Sequence, residues 1–184
     1  MKIVISGGPG SGKTTLIQAL ASRGYRTVQE AAIQVIEDLN GRYGVEGQKA
    51  WRKENRSEFQ VMIAEKQSEL EGLVREHSAE MAFLDRGRLD SIAYCRFHGN
   101  EVHPAVGSIA DGHNYDGVVV LRTLSTFSSR RATGRMSSYE DSIQIGDHIE
   151  QVYREAGYPI LTIPELSVAD RLERVLEFAK NLAS

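Results

Sequence analysis

Met1-Lys2-Ile3-Val4-Ile5-Ser6-Gly7-Gly8-Pro9-Gly10-Ser11-Gly12-Lys13-Thr14-Thr15 opens the chain, and within it Gly7–Thr14 fits G-x-x-x-x-G-K-[ST] at every fixed position. A short apolar run enters this glycine loop, and a segment rich in Leu16, Ile17, Ala19 and Leu20 leaves it. The order is therefore strand, loop, helix. Glycines let the main chain curl so that successive N–H groups converge on phosphate oxygens, at a helix N-terminus whose dipole favours negative charge. Lys13 adds a full positive charge for the β- and γ-phosphates. Thr14 offers a hydroxyl to Mg²⁺, which keeps several waters and takes few protein ligands. Gly7, Gly8, Pro9, Gly10, Ser11, Gly12, Lys13, Thr14 and Thr15 are the expected nucleotide-binding set, with ATP and Mg²⁺ as cofactors.

The rest of the chain alternates short β-branched runs with longer helical patterns, the signature of βαβ units and a parallel sheet covered on both faces. Five strands are expected, at Lys2–Ser6, Tyr25–Gln29, Met81–Asp85, Gly117–Leu121 and Pro159–Ile163. Helices are expected from Lys13 to Ser22, with Gly24 as its stop, and from Glu30 to Leu39, ending at Asn40-Gly41. A long one runs from about Gln48 to His77, with room for a break, and has Phe59, Met62, Ile63, Leu70, Leu73 and Val74 as its inward stripe. From Ser137 to Ala156, Ser137 and Glu140 match a capping-box spacing, and Ile149, Val152, Tyr153 and Ala156 share a face. The last helix opens at Ser167, with Asp170 three residues on, and buries Leu172, Val175, Leu176 and Ala179.

At 184 residues the length suits one domain, 1–184, and no repeat, low-complexity tract or proline-rich linker divides it. The 41% hydrophobic and 26% charged content excludes disorder as the main state. With 22 Lys+Arg against 25 Asp+Glu, net −3, no global attraction to nucleic acid is expected. The longest apolar run, Val118–Leu121, falls far short of the roughly 20 residues of a membrane span, and the N-terminal strand is too short for a secretory signal. One cysteine, Cys95, cannot form an internal bridge, which points to a reducing compartment, the cytoplasm.

A triphosphate site needs a carboxylate across from the loop, and Met81-Ala82-Phe83-Leu84-Asp85 supplies one at the C-terminal end of a strand, where ligands gather in open α/β sheets. Asp85 is the expected Mg²⁺ anchor with Thr14; the plain alternative is a solvated Asp85/Arg86 pair. Glu30, at the same edge, suits a group that orients or deprotonates an attacking hydroxyl, or else only complements a helix dipole. Arg130, Arg131 and Arg135 lie on a short polar stretch after the fourth strand, inside an expected lid at about 122–137. There guanidinium groups can meet the transferring phosphoryl, Arg135 foremost. His98, His103, Asp111 and His113 match no familiar zinc spacing and are read as lining a substrate-side surface, with the segment around Pro104 as a loop. Tyr43 and Trp51 are either core aromatics or stacking surfaces for a base.

These residues resemble a known family, the small P-loop predicted ATPases and kinases of AAA type related to the ribosylnicotinamide kinase domain of NadR. The resemblance runs through Ile5–Thr15, Arg23-Gly24-Tyr25, Glu30-Ala31-Ala32, Phe83-Leu84-Asp85-Arg86-Gly87 followed by Asp90, Tyr115-Asp116, Arg135, and Tyr153–Pro159. It implies the three-layer P-loop sandwich of nucleoside and nucleotide kinases, with strand order 2-3-1-4-5. It also implies ATP and Mg²⁺, Glu30 and Asp85 in catalytic or metal-anchoring roles and the Arg135 segment as a lid, so that Lys13, Glu30, Asp85 and Arg135 form the expected catalytic set.

Two functions follow as expectations. One is a kinase that moves the ATP γ-phosphate to a small-molecule hydroxyl, with a nucleoside-like acceptor possible. The other is an ATPase or nucleotide-dependent switch acting on a protein partner. A kinase needs a second pocket, and the helix from Gln48 and the segment Gly99–Tyr115 are its expected walls.

Overall fold

Aliphatic and β-branched residues form five strands, β1 (Lys2–Ser6), β2 (Arg26–Val28), β3 (Ala82–Asp85), β4 (Gly117–Leu121) and β5 (Ile160–Ile163). They make one parallel sheet in the order β2-β3-β1-β4-β5, the order that the resemblance implies. The computed structural model describes residues 1–74, 81–112, 114–126 and 138–183. Ile5 lies opposite Asp85 and Ser6 opposite Val120, so the C-terminal ends of the three central strands share one edge.

Period-2 alternation divides the sheet's side chains between two cores. Ile3, Ile5, Phe83, Val119, Leu121 and Ile163 face α1 (Lys13–Ser22) and α7 (Val168–Leu182), which bury Leu16, Leu20, Leu172 and Val175 against them. Val4, Leu84, Val118 and Val120 face α4 (Asp90–Phe97) and α6 (Tyr139–Glu155), through Ala93, Ile145, Ile149 and Tyr153. The result is an α/β sandwich of three layers. Outside the second layer, α2 (Ala31–Glu54) packs on α3 (Arg56–Gly72), and α3 packs on α4 and on α5 (Pro104–Asp111).

Helix α1 has the expected bounds, and Gly24 ends it in a left-handed conformation, φ 85°. Gly24 N donates to Ala21 O at 2.9 Å and Tyr25 N to Leu20 O at 3.2 Å, the two bonds of a Schellman motif. Asn40-Gly41 does not end α2, because glycine permits a turn without forcing one. The break falls at Gly44, φ 69° and ψ 172°, and α2 resumes to Glu54. A second break, at Asn55, separates α2 from α3; the Asn55 Nδ2 donates to Trp51 O at 2.9 Å.

Three other expectations are corrected. The segment around Pro104 is helix α5, not a loop, since Pro104 supplies a preset φ at its start and His103 Nδ1 accepts from Ala105 N at 3.2 Å. The cap of α6 lies one residue later than expected: Ser138 Oγ accepts from Asp141 N at 3.0 Å, and Asp141 Oδ2 accepts from Ser138 N at 2.9 Å. Both spacings exist in the sequence, and the Asp of the later one closes the box; Ser137 is outside the described residues. Of the expected stripe along α3, Val74 just past its end is buried in the core and Leu70 packs against it, whereas Leu73 is 65% exposed; the most deeply buried residues of α3 itself are Gln60, Ala64, Gln67 and Glu71.

Truncation of a side chain sealed between β4 and α6 tests this packing. Ile149→Ala is expected to lower unfolding free energy by about 2–5 kcal/mol, as for other buried Ile or Leu to Ala changes, read from a urea midpoint. A change below about 0.5 kcal/mol contradicts the placement of Ile149 in the core.

Candidate functional site at the C-terminal edge of the sheet

Between β1 and α1 the chain turns through Gly7 (φ 140°), Gly10 (φ 74°) and Gly12 (φ 85°), conformations that side chains rarely adopt. Space is equally restrictive, because a Cβ at Gly7 would stand 2.3 Å from Leu121 O and one at Gly8 2.0 Å from Ser142 O. The loop is thus pressed between the end of β4 and the start of α6.

Every carbonyl from Gly7 to Ser11 accepts a hydrogen bond from the protein. Lys13 Nζ donates to Gly7 O and Gly8 O, both at 2.9 Å, and to Ser11 Oγ at 3.2 Å. Ser142 Oγ donates to Pro9 O, Leu124 N to Gly10 O at 3.4 Å, and Arg171 Nη1 to Ser11 O at 2.7 Å. A loop whose oxygens are engaged this way offers little lone-pair repulsion to an anion. At the start of α1, Gly12 brings no capping oxygen and no acid sits in the first turn, so a phosphate suits the helix N-terminus. The residues present fit a nucleotide. They also fit Mg²⁺, since the Thr14 hydroxyl and the Asp85 carboxylate are hard oxygen donors.

Arg86, immediately after β3, is the residue that organises the neighbouring chains. Its φ of 76° makes it the sole non-glycine with positive φ among the described residues. The buried guanidinium donates from Nε to Glu30 Oε1 and from Nη1 to Asp90 Oδ1, both at 2.9 Å, and its Cζ sits 5.3 Å from the Tyr94 ring centroid. Nη1 also approaches Gly7 O at 3.5 Å. On the backbone, Arg86 N donates to Ile5 O at 3.1 Å and Arg86 O accepts from Gln67 Nε2 at 2.9 Å. Burial opposes its charge, yet electrostatic attraction to Tyr94, Glu30, Asp90 and Asp85 together raises its pKa well above the ordinary value. Asp90 in turn accepts from Ser6 Oγ at 2.5 Å, from Tyr153 OH at 2.7 Å and from Gly87 N at 3.2 Å.

A second polar cluster backs the first. Glu71 accepts from Gln67 Nε2 at 3.0 Å, Tyr115 OH at 2.8 Å and Arg88 Nε at 2.9 Å. Burial pushes the Glu71 carboxyl above the usual glutamate value, with these donors opposing it, and burial next to Glu71 raises Tyr115 well above the phenol value.

Beside the loop lies a cavity of about 370 Å³, which Pro9 and Glu30 bound at the phosphate end. Arg86, Asp90 and Asp141 share that lining, while Phe59, Tyr94 and Phe97 give it flat apolar surfaces. The expected wall from Gln48 onward is present in Lys49, Arg52, Phe59 and Ile63. The other wall is α4, with Asn100 the one contributor from the expected Gly99–Tyr115 segment.

The edge of the sheet therefore brings together the phosphate loop, Glu30, Asp85 and Arg86. Lys13 is 4% exposed and bonded to the loop's own carbonyls. Glu30 and Asp85 are both buried. The plain alternative for Asp85 and Arg86, a solvated pair, does not hold, as both are at most 5% exposed and Arg86 pairs with Glu30 and Asp90. Arg130, Arg131, Arg135 and His113 lie outside the described residues, as does all of the expected lid beyond residue 126. His98 lines the cavity, whereas His103 caps α5; no His/Cys/Asp/Glu cluster suited to a metal occurs among the described residues. Tyr43 and Trp51 stack on each other, centroids 6.2 Å apart and planes 14° from parallel, and neither lines the cavity. Sequence reasoning placed Asp90 in a motif without giving it a role, and missed Gln60, Gln67, Glu71, Ser142 and Arg171. Polar residues interrupting the inward stripes of α3 and α7 are the signal that marks four of them, Gln60, Gln67, Glu71 and Arg171.

A family model described as an AAA domain matches residues 2–171. The chain belongs to this AAA-domain family. No curated protein matches the sequence significantly. Among solved structures, deoxyadenosine kinase from M. mycoides with bound dATP superposes with a TM-score of 0.60 at 18% identity, over 98% of this chain and 99% of that one. The same kinase with bound dCTP gives 0.60 at 17%, and with the products dCMP and a flexible dCDP 0.63 at 18%, each over 98% of this AAA-domain chain and 100% of the other. Likeness at that identity shows the shared fold. An ATP-dependent kinase or ATPase, the enzyme class expected from the sequence, agrees with both findings. No helix among the described residues is long and apolar enough to cross a membrane.

Two outcomes test the polar scaffold. Arg86→Met removes the cation between two buried carboxylates and is expected to cost about 3–5 kcal/mol of stability, the range for breaking a buried pair from one side. A loss under about 1 kcal/mol in denaturant titration refutes the described pairing. For Glu71, a folded pKa above the ordinary 4.5 means that the native state binds more protons than the unfolded state between those two values. Stability then falls as pH rises through that window. Glu71→Gln should flatten this part of the stability profile, and an unchanged slope assigns the dependence elsewhere.

Proposed function

We propose that this chain is a kinase that transfers the γ-phosphate of ATP to a hydroxyl of a small-molecule acceptor, a nucleoside-like compound being one that fits. The observation that carries the reading is the cavity of about 370 Å³ opening beside the phosphate loop at Pro9 and lined by Glu30. It lies in the range of small-ligand pockets, roughly 300–1,000 Å³, and a module that only hydrolyses ATP has no need of it.

In this reading the loop and Lys13 hold the triphosphate, with Lys13 turning from the Gly7 and Gly8 carbonyls toward phosphate oxygens. Mg²⁺, when bound, neutralises charge between the β- and γ-phosphates; Thr14 would hold it together with Asp85, directly or through water. Glu30 orients the acceptor hydroxyl and takes its proton as the new oxygen–phosphorus bond forms and the bond from the γ-phosphorus to the bridging oxygen breaks, releasing ADP. Arg86 fixes that carboxylate through Oε1 at 2.9 Å. In a loose phosphoryl transition state positioning matters more than proton abstraction. Arg130, Arg131 and Arg135 are retained on sequence grounds as contacts to the transferring phosphoryl. The lone thiol Cys95, buried in α4, suits work in the reducing cytoplasm.

ATP consumption against a panel of nucleosides and other hydroxyl-bearing metabolites, with basal hydrolysis as control, decides the class. One compound that stimulates turnover and appears phosphorylated is the expected result. Stimulation by a protein partner alone, with no phosphorylated small molecule, replaces the kinase with the switch. Lys13→Ala should lower turnover by about 10²–10³-fold, the scale for losing one preorganised donor. It should retain cooperative melting, less about 1–3 kcal/mol for the carbonyls left without it. Asp85→Asn should move the magnesium titration to higher concentration; an unmoved curve removes Asp85 from the metal site.

A further inference from the structure

Around the joint between α2 and α3, Lys49, Arg52, Lys53 and Arg56 all line the cavity. The spacing explains the grouping, because positions three and four apart lie on one helix face and Arg56 opens the next helix. Such a wall is unexpected in a protein whose net charge is −3. With Arg86, five cations line the cavity against three carboxylates, Glu30, Asp90 and Asp141. Glu30 and Asp90 are both paired with Arg86, and Asp141 is engaged in the α6 capping box. The partner of Lys49, Glu46, lies 2.7 Å away, with a side chain 84% exposed, so the pair is of the weak surface kind.

Two further features fit an occupant that carries negative charge. Arg52 is half-buried, its guanidinium 5.3 Å from the Phe59 ring centroid, and burial lowers its pKa. His98, in the same lining, is held below the ordinary histidine value by burial and then by Arg56, with Asp141 opposing. Basic side chains thus face the cavity from α2 and α3, next to the flat surfaces of Phe59, Tyr94 and Phe97.

We infer that the acceptor of this kinase is a phosphate-bearing organic anion with a flat apolar body, anchored by Arg52, Lys53 and Arg56, and not a neutral or cationic compound. This rests on the kinase reading for the word acceptor, while the binding preference stands on the cavity alone. Ribosylnicotinamide carries a positively charged pyridinium ring, and the same wall disfavours it.

Binding is measured by calorimetry on the full chain with its phosphate loop saturated by a non-hydrolysable ATP analogue. The probes are purine and pyrimidine nucleosides, their 5′-monophosphates and nicotinamide riboside. At least one monophosphate is expected to bind about tenfold or more tightly than its nucleoside, the effect of roughly one charge-assisted hydrogen bond. The advantage should shrink as salt rises, and nicotinamide riboside should bind weakest. Lys53 and Arg56 are exposed, so the double variant Lys53→Gln, Arg56→Gln should fold normally and lose the tenfold advantage while retaining its affinity for the nucleoside. The inference is overturned if no monophosphate binds, if nucleoside and monophosphate bind equally, or if the double variant retains the preference. Turnover separates the two readings. A neutral nucleoside phosphorylated with no gain from added phosphate ends this inference and leaves the kinase, whereas tight monophosphate binding with no transfer to any compound ends the kinase and leaves the anion site.

Discussion

The Arg86 guanidinium, held between Glu30 and Asp90, is the interaction on which the geometry of the edge depends. Its partners come from the start of α2 and the first turn of α4, and its backbone joins β1 through Ile5 and α3 through Gln67. A buried ion pair of this kind contributes little net stability, since desolvation offsets most of the attraction. What it does supply is a single arrangement. The positive φ of Arg86 turns the side chain back toward the phosphate loop, and the network of ionic bonds holds that uncommon conformation in place. Glu30 and Asp90 each fill a separate donor of the guanidinium, Nε and Nη1, so removal of either leaves a buried N–H without its acceptor, and the elements that carry the two carboxylates are tied to one register.

The loop depends on the same principle applied to the backbone. Donors from α1, α6, α7 and the segment after β4 reach its carbonyls, each from a different part of the chain. Gly8 is without a side chain because Ser142 of α6 occupies the space, and Ser142 is bonded both to Pro9 O and, at 2.8 Å, to Thr123 Oγ1. Phosphate binding by a preorganised loop requires no reorientation of dipoles when the anion arrives, and that economy is the usual source of phosphoryl-transfer catalysis.

Periodicity was an incomplete guide wherever a helix faces this polar edge and not a core. The inward side of α3 was expected to be its apolar stripe. Leu70 and Val74 do pack on the core, but the most deeply buried positions of α3 are Gln60, Ala64, Gln67 and Glu71, because the surfaces that face includes are Arg86 O, Arg88 and Tyr115 OH. Arg171 shares the buried face of α7 with Leu172 and Val175 for a similar reason, its partners being Ser11 O and Pro164 O. Helices α4 and α5 have eight residues each, too few for an amphipathic pattern to stand out from the surrounding polar segments.

By itself the sequence determined the parallel five-stranded sheet, the phosphate loop with its glycines, and the strand-end positions of Glu30 and Asp85. These follow from contiguous patterns: apolar runs of strand length, a local glycine spacing, and the rule that parallel strands end on one edge. Tertiary structure alone decided that Arg86 pairs with Glu30 across 56 positions of chain, that Ser142 and Arg171 hold the loop, and that the cations of residues 49–56 line one cavity. The physical reason is that such contacts join residues far apart in the chain, and no local period records which distant carbonyl or carboxylate a buried donor will meet.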